Sequence, residues 1–151
     1  NIPLDDGSPD ENIINYPPTI SHKSYSVTVM SIGNPHCAIF VDRFPARIEW
    51  HQIGREIESH PFFPKRINIE FIRVLSREEI EVLFWERGVG ETLSSGSGSC
   101  AAAVASILKN LTEKKVKVRT SMGQLTVEWE KEKVYQTGPA EIVFKGNFLS
   151  N

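Results

Sequence analysis

Residues 86–110 read ERGVGETLSSGSGSCAAAVASILKN, and the second half of this stretch decides the fold. Residues 101–108 are apolar apart from Ser106, and hardly any polar face is left before Lys109. A helix that is apolar on every side is normally buried on every side. Its small side chains also let strands approach it closely. The sequence therefore predicts a central helix with a sheet wrapped around it.

The flanking sequence predicts a second helix and a set of strands. Residues 48–59 place Trp50, Ile53 and Ile57 on one helical face. Residues 79–86 alternate in the period of two that a strand requires. The other predicted strands are 25–32, 37–42, 67–75, 115–119, 123–130, 133–136 and 140–146. Seven or eight strands with two helices predict the α+β class.

Composition excludes several classes of function. The 151 residues are 40% hydrophobic, which is enough for one domain with a core. A net charge of -2 gives no broad attraction to nucleic acid or anionic membranes. No apolar run approaches the roughly 20 residues that span a bilayer, and no signal peptide is visible. Two cysteines are too few for a disulfide framework, so we expect a reducing cytoplasm.

The four histidines are scattered and form no tight spacing with the cysteines, so no metal site is predicted. Residues 1–24 are rich in Asp, Asn, Ser and Pro, which is typical of a linker or loop. The chain also begins at Asn1 rather than at methionine. Together these features predict a piece of a longer protein, with a native two-piece protein as the alternative.

The Gly/Ser segment before the central helix is the first candidate site. The first turn of a helix has unpaired N–H groups and a positive dipole end, so it favours an anion. Gly96 and Gly98 let backbone amides approach a carboxylate or phosphate closely. No Gly-Lys-Ser/Thr occurs, so a nucleotide P-loop is not predicted. The alternative is a flexible loop with serine caps.

Two further candidates lie at the ends of predicted strands. Asn34 and His36 follow a strand in GNPHC, where functional loops often lie, although a single histidine is more often structural. Glu86 and Arg87 end another strand, where Arg87 could bind a carboxylate bidentately and Glu86 could orient a base. The alternative for this pair is two surface charges. None of these segments is decisive alone.

Taken in order, the segments resemble the C-terminal half of the diaminopimelate epimerases, from about Ser24 to Phe144. The resemblance rests on SIGNPHCAIFVD (31–42), HPFFPKRINIEFIRVLSREEIEVLFWERGVGET (60–92), the Gly/Ser loop with its alanine helix, GQLTVEW (123–129) and VYQTGPAEIVF (134–144). It implies an isomerase that inverts one α-carbon of LL-diaminopimelate to the meso form without a cofactor. That reaction belongs to lysine and peptidoglycan biosynthesis.

The resemblance also implies the fold and the domain organisation. The family has two similar halves, each a mixed or antiparallel, barrel-like sheet around a central apolar helix, with the active site between them. We therefore expect residues 25–138 to form the C-terminal epimerase-like domain. Residues 1–24 would end a missing N-terminal half, and residues 139–151 would be a strand or tail that returns to it. The expected partners are that half and, by family, a second copy in a homodimer.

Roles for individual residues follow from the resemblance. In the family, two cysteines, one from each half, alternate as thiolate and thiol to remove and return the α-proton. Asn34 and Asn68 match asparagines that contact the substrate, and Arg87 matches the residue that grips a carboxylate. Gly96 and Ser97 match the helix-start amides that hold the other carboxylate of diaminopimelate or a similar amino dicarboxylate. The family usually has threonine where Ser97 stands.

The position of the family's second catalytic cysteine is occupied by Ser95. A serine hydroxyl is a far weaker acid than a thiol and a poor base unless a neighbour activates it. His36 is the candidate neighbour, and His36 and Glu86 match the groups that tune the family's thiols; Glu86 is also a predicted substrate contact. Cys100 matches a non-catalytic position. We therefore expect impaired or absent activity from this half alone.

Two other functions stay open. One is a catalytically silent domain for amino-dicarboxylate binding or for assembly, which Ser95 favours. The other is a superfamily enzyme of changed chemistry, a dehydratase or another isomerase. Serines at 94, 95, 97 and 99 stand where the family tends to have other small residues. That clustering favours natural divergence over a single engineered change.

Overall fold

The computed structural model describes residues 13–16, 19–20 and 23–149, with side chains from Tyr25 onward. This part of the chain contains two helices, α1 (Arg47–Glu58) and α2 (Gly96–Leu108). The strands are β1 (Ile13–Tyr16), β2 (Thr19–Ile20), β3 (Lys23–Ser24), β4 (Val27–Ser31), β5 (Pro35–Phe40), β6 (Asn68–Ser76), β7 (Glu79–Glu86), β8 (Gly90–Thr92), β9 (Lys115–Thr120), β10 (Gly123–Glu130) and β11 (Lys133–Thr137). Neither helix is long and apolar enough to cross a membrane.

Nine of the described strands form one mixed sheet, in the order β1-β4-β5-β6-β7-β9-β10-β11, with β8 paired to the end of β7. β5 pairs in parallel with β6, and β7 pairs in parallel with β9. Parallel neighbours need a crossover connection, and α1 and α2 supply the two crossovers. The mixed sheet with two helices confirms the predicted α+β class. β2 and β3 form a separate two-stranded ribbon.

The helix α2 lies against one face of this sheet. Residues 101–106 are buried without interruption, so the helix is covered around its whole circumference there. Six strands contribute buried apolar residues that pack with it: Met30, Ala38, Ile72, Ile80, Val82, Phe84, Val116, Val118 and Val127. The prediction of a central helix wrapped by sheet is confirmed.

The helix α1 covers the opposite face. Trp50, Ile53 and Ile57 are buried there, as the helical spacing predicts. They pack with the alternate residues of β4, β5 and β6. Gly54 lets α1 lie close to β7, because a Cβ atom at this position would lie only 2.7 Å from the ring of Trp85. The two helices thus bury both faces of the same strands.

Two terminal segments differ in secondary structure from the sequence prediction. Within residues 1–24, predicted as linker, β1 pairs with β4, because the β-branched residues there favour a strand; residues 1–12 lie outside the described residues. Residues 140–146, predicted as a strand, have no regular secondary structure. Ile142 and Phe144 are 78% and 85% exposed. A strand needs a ladder partner for its backbone groups, and none of the described strands pairs with this segment.

Candidate active site

Several chain segments meet at one edge of the sheet. β5 and β6 run in parallel, so both begin at this edge, where His36 pairs with Asn68. β7 runs antiparallel to β6, so its last residue, Glu86, lies at the same edge. The start of α2 is packed beside them, because a Cβ atom at Gly98 would lie 3.0 Å from Oε1 of Glu70 and 2.8 Å from the ring of Phe84. The topology therefore gathers residues that are far apart in sequence.

His36 is held by two side chains. Its Nδ1 atom is 2.7 Å from Oε1 of Glu70, and its Nε2 atom is 2.9 Å from Oδ1 of Asn34. The sequence suggests His36 as the neighbour that activates Ser95. Both ring nitrogens have other partners, and no hydrogen bond joins His36 to Ser95 in the described part of the chain. The geometry gives that suggestion no support.

Glu70 is a residue that the sequence reasoning missed. It is 1% exposed, and its Oε2 atom has no hydrogen-bond partner among the described residues. Burial raises the pKa of this carboxyl group, the bond to His36 opposes the rise, and the charge of Glu86 adds to it. The sequence carries one sign that Glu70 is buried. In β6 the alternation that buries Ile72 against α2 also points Glu70 into the core.

Asn68 and Arg87 are joined through the backbone. Asn68 donates from Nδ2 to the carbonyl oxygen of Pro35 at 2.8 Å, and its Oδ1 accepts from the backbone N–H of Arg87 at 3.0 Å. Arg87 donates from Nη1 to the carbonyl oxygen of Lys65 at 3.2 Å, and its side chain is exposed. One amide hydrogen of Asn68 and most of the guanidinium therefore lie outside these bonds.

Glu58 was also missed, and it organises the turn that carries Arg87. Its carboxylate accepts from Nε1 of Trp85 at 2.8 Å, from the backbone N–H of Gly88 at 2.8 Å and from Nη1 of Arg66 at 3.4 Å. Burial alone raises the pKa of Glu58, but these donors outweigh it, and the pKa lies below the ordinary value. No spacing in the sequence links α1 to this turn, so only the structure reveals the contact.

We expect Glu58→Gln to lower the free energy of unfolding at pH 7 by about 1–3 kcal/mol, because one donor loses its acceptor. The folded pKa is depressed, so the stabilisation is complete above the unfolded pKa and is lost as pH falls through the folded pKa. Urea unfolding at pH 7 and pH 3 measures this. The loss of unfolding free energy relative to wild type should be smaller at pH 3 than at pH 7. Glu78→Gln, at an exposed site, should cause no such loss at either pH. An equal difference at both pH values would contradict the prediction.

Ser95 caps the start of α2. Its backbone is extended, and its Oγ atom accepts from the backbone N–H of Gly98 at 3.2 Å. The predicted alternative of a serine cap thus holds for this residue. Gly96 and Ser97 follow in the first turn, where both are exposed and the backbone N–H groups have no partner within the helix. This turn can accept a carboxylate, in line with the anion prediction.

Neither cysteine is poised for chemistry. Cys37 is fully buried, and burial raises the pKa of its thiol well above the ordinary value, with a further rise from the charge of Glu70. Cys100 is half-buried, and burial raises its pKa as well. Reactive thiols need an environment that lowers the pKa. The first turn of α2 is such an environment, and the residue that caps it is Ser95.

Solved structures share this fold. One is a phenazine biosynthesis protein of the PhzF family from Enterococcus faecalis, with a TM-score of 0.57, 15% identity and coverage of 73% of this chain and 41% of that chain. Another is a phenazine biosynthesis PhzC/PhzF protein from Clostridium difficile, with a TM-score of 0.51, 21% identity and coverage of 69% and 39%. The chain is thus an α+β protein whose fold is part of this larger architecture.

The sequence gives the family. The family model described as diaminopimelate epimerase matches residues 28–143. The diaminopimelate epimerase of Pelotomaculum thermopropionicum is 44% identical over 97% of this chain and 52% of that protein. That of Leptospira biflexa is 45% identical over 91% of this chain and 49% of that protein. The chain belongs to the diaminopimelate epimerase family, as its motifs predict. It spans about half the length of these curated relatives.

Proposed function

We propose that this chain is the C-terminal half of an epimerase that inverts an α-carbon of diaminopimelate without a cofactor. The observation that carries the proposal is the meeting of Asn34, His36, Asn68 and Glu86 at one sheet edge, beside the start of α2. Family membership supports the substrate. The activity would need an N-terminal half to complete the site, since the chain spans about half of its relatives.

The groups at this edge suit an amino dicarboxylate. The exposed guanidinium of Arg87 would bind one carboxylate, and the amides of Gly96 and Ser97 would hold the other. When the α-proton leaves, the electron pair of the C–H bond delocalises into the adjacent carboxylate. Amides at a helix start stabilise that growing charge. A group from the N-terminal half would return a proton to the opposite face.

Position 95 is where the base of this half would act. An ionised Oγ of Ser95 would be stabilised by the N–H of Gly98, but serine ionises far less readily than cysteine. The same observation favours a second candidate function, a binding domain that holds the amino dicarboxylate without exchanging its proton. Ser95 already acts as a helix cap, and His36 is bonded elsewhere. The two functions differ in whether an α-proton exchanges.

Exchange in heavy water separates these functions. Diaminopimelate would be incubated with the chain alone and with the chain plus its N-terminal half, and the α-proton signal followed by NMR. We expect exchange only from the pair, and a loss of at least about tenfold in Arg87→Ala, because a carboxylate loses its partner. Arg43→Ala, at another exposed arginine, is the matched control. Substrate binding by the pair without any exchange would overturn the epimerase function and favour the binding domain.

The cellular location and the partners of the protein follow from the same proposal. We infer a cytoplasmic location, which the free thiols of Cys37 and Cys100 and the biosynthetic character of the family support. The partners would be the N-terminal half and a second copy of the complete protein. Residues 139–149 would pack on the N-terminal half, a role that suits the exposed side chains of Ile142 and Phe144.

A further inference from the structure

Asn34, His36 and Glu70 form a hydrogen-bonded chain that runs from the core to the site. Glu70 is the buried end, and the 2.7 Å bond joins it to Nδ1 of His36. His36 is also 1% exposed, and the 2.9 Å bond joins its Nε2 to Oδ1 of Asn34. Asn34 is half-buried and is the member that reaches the site. The chain thus links a buried carboxyl group to a predicted substrate contact.

The hydrogen-bond partners of His36 determine which atoms of His36 and Glu70 carry hydrogen. An amide oxygen only accepts, so Nε2 of His36 must donate to Oδ1 of Asn34. The bond between Nδ1 and Glu70 needs one further hydrogen, on either atom. In this arrangement the His36–Glu70 pair therefore holds two protons. If the pair lost one of them to leave a carboxylate, Nε2 would become an acceptor and Asn34 would have to turn its NH₂ group inward.

Burial favours the state with two protons. The Oε2 atom of Glu70 has no partner among the described residues, and a charged oxygen left unpaired in the core is costly. Burial raises the pKa of Glu70, and the charge of Glu86 on β7 raises it further against the influence of His36. On α2, the residue that faces Glu70 is Gly98, which has no side chain to titrate. The burial of Glu70 and the charge of Glu86 both favour keeping the second proton within the His36–Glu70 pair.

We propose that Glu70 is a positioning residue that, through His36, holds Asn34 by its oxygen and so presents the Nδ2 donor to a carboxylate of the substrate. The identity of the ligand rests on the proposed function, but the hydrogen-bond chain does not. Glu70 thereby determines whether this position offers a donor or an acceptor. A donor selects a carboxylate oxygen, whereas an acceptor would select an ammonium group.

The test begins with the chain itself. Long-range ¹H–¹⁵N spectra of the labelled protein at neutral pH report whether each histidine ring nitrogen carries hydrogen. We expect a protonated, pyrrole-type Nε2 in His36. A pyridine-type Nε2 would overturn the proposal, because Asn34 would then have to face His36 with its NH₂ group. This result needs no variant and no activity.

Two substitutions then test the role of Glu70. Glu70→Gln supplies a neutral donor to Nδ1, so it should keep the single ring form of His36. Glu70→Met has a similar length but no donor, so His36 should populate both tautomers, and the Nε2 shift should move toward the pyridine-type value. Glu78→Met, on the surface, is the matched control and should leave His36 unchanged. A folded Glu70→Met protein that keeps the wild-type ring form would overturn the proposal.

The reconstituted enzyme tests the donor itself. Asn34→Asp removes the NH₂ group, so KM for diaminopimelate should rise by about 10- to 100-fold, with a smaller change in kcat. Glu70→Met should raise KM in the same direction, and Glu70→Gln should restore it. Unchanged KM in both Asn34→Asp and Glu70→Met would overturn the donor role. If no exchange occurs in any protein, the proposed function fails, while the spectra still decide the positioning role.

Discussion

Replacing Ser95 by cysteine should raise the rate of α-proton exchange by the reconstituted enzyme by about 10²- to 10⁴-fold, the usual contribution of a well-placed acid or base. The Oγ atom of Ser95 accepts from the N–H of Gly98 at the positive end of α2. A thiolate in this place gains the same donor and the same dipole. The reference pKa of a thiol is about 8.5, and a helix start lowers it further. A serine hydroxyl has no comparable anion near neutral pH.

The chain alone provides a second measurement of this substitution. The alkylation rate of the new thiol, followed against pH, should show a pKa below that of an ordinary cysteine, whereas burial raises the pKa of Cys37 and Cys100. Ser94→Cys is the matched control, because Ser94 is exposed and precedes the cap residue. A low thiol pKa in Ser95→Cys without any gain in exchange would contradict a catalytic role for this position.

Phe84→Ala should lower the free energy of unfolding by about 3–5 kcal/mol, the usual cost of emptying a fully buried aromatic site. Phe84 is 1% exposed and belongs to the core around α2. Urea denaturation followed by circular dichroism measures the change. Phe148→Ala removes the same atoms from a side chain that is 94% exposed, so it should stay within about 0.5 kcal/mol of wild type. Equal effects of the two substitutions would contradict the packing around α2.

A double-mutant cycle with Gly98→Ala tests whether Phe84 packs against the start of α2. A Cβ atom at Gly98 would lie 2.8 Å from the ring of Phe84 and 3.0 Å from Oε1 of Glu70. Gly98→Ala should therefore destabilise the domain, despite the gain in helix propensity of about 1 kcal/mol. In the Phe84→Ala background the ring is gone, and the cost should fall. Additive effects in this double-mutant cycle would rule out the contact.

Much of the scaffold follows from local patterns. The burial of residues 101–106 is implied by their composition, and the α1 face of Trp50, Ile53 and Ile57 is implied by helical spacing. Each pattern indicates which face of a single helix is buried, and this face depends only on the residues of that helix. The family's motifs supplied the candidate site positions, and the fold brings most of them to one edge.

The remainder depends on contacts between distant segments. Glu58 reaches Trp85 and Gly88 across the α1–sheet interface, and Glu70 reaches His36 across a parallel strand pair. A single sequence carries no local sign of either partner. The strand predicted at 140–146 does not form among the described residues for a related reason, because a strand exists only when another strand pairs with it. Local propensity cannot supply that partner.

The parallel pairing of β5 with β6 has a consequence for the ribosome-bound chain. Asn68, the first residue of β6, leaves the ribosome about 30 residues after His36, roughly 2–6 s at typical rates of synthesis. Until then β6 cannot pair with β5, and Cys37, which becomes fully buried between β6 and α1, is an accessible thiol. Oxidative damage to Cys37 would therefore be set by the pace of translation. A slow codon between the two segments would lengthen that exposure, whereas the folded domain protects the thiol.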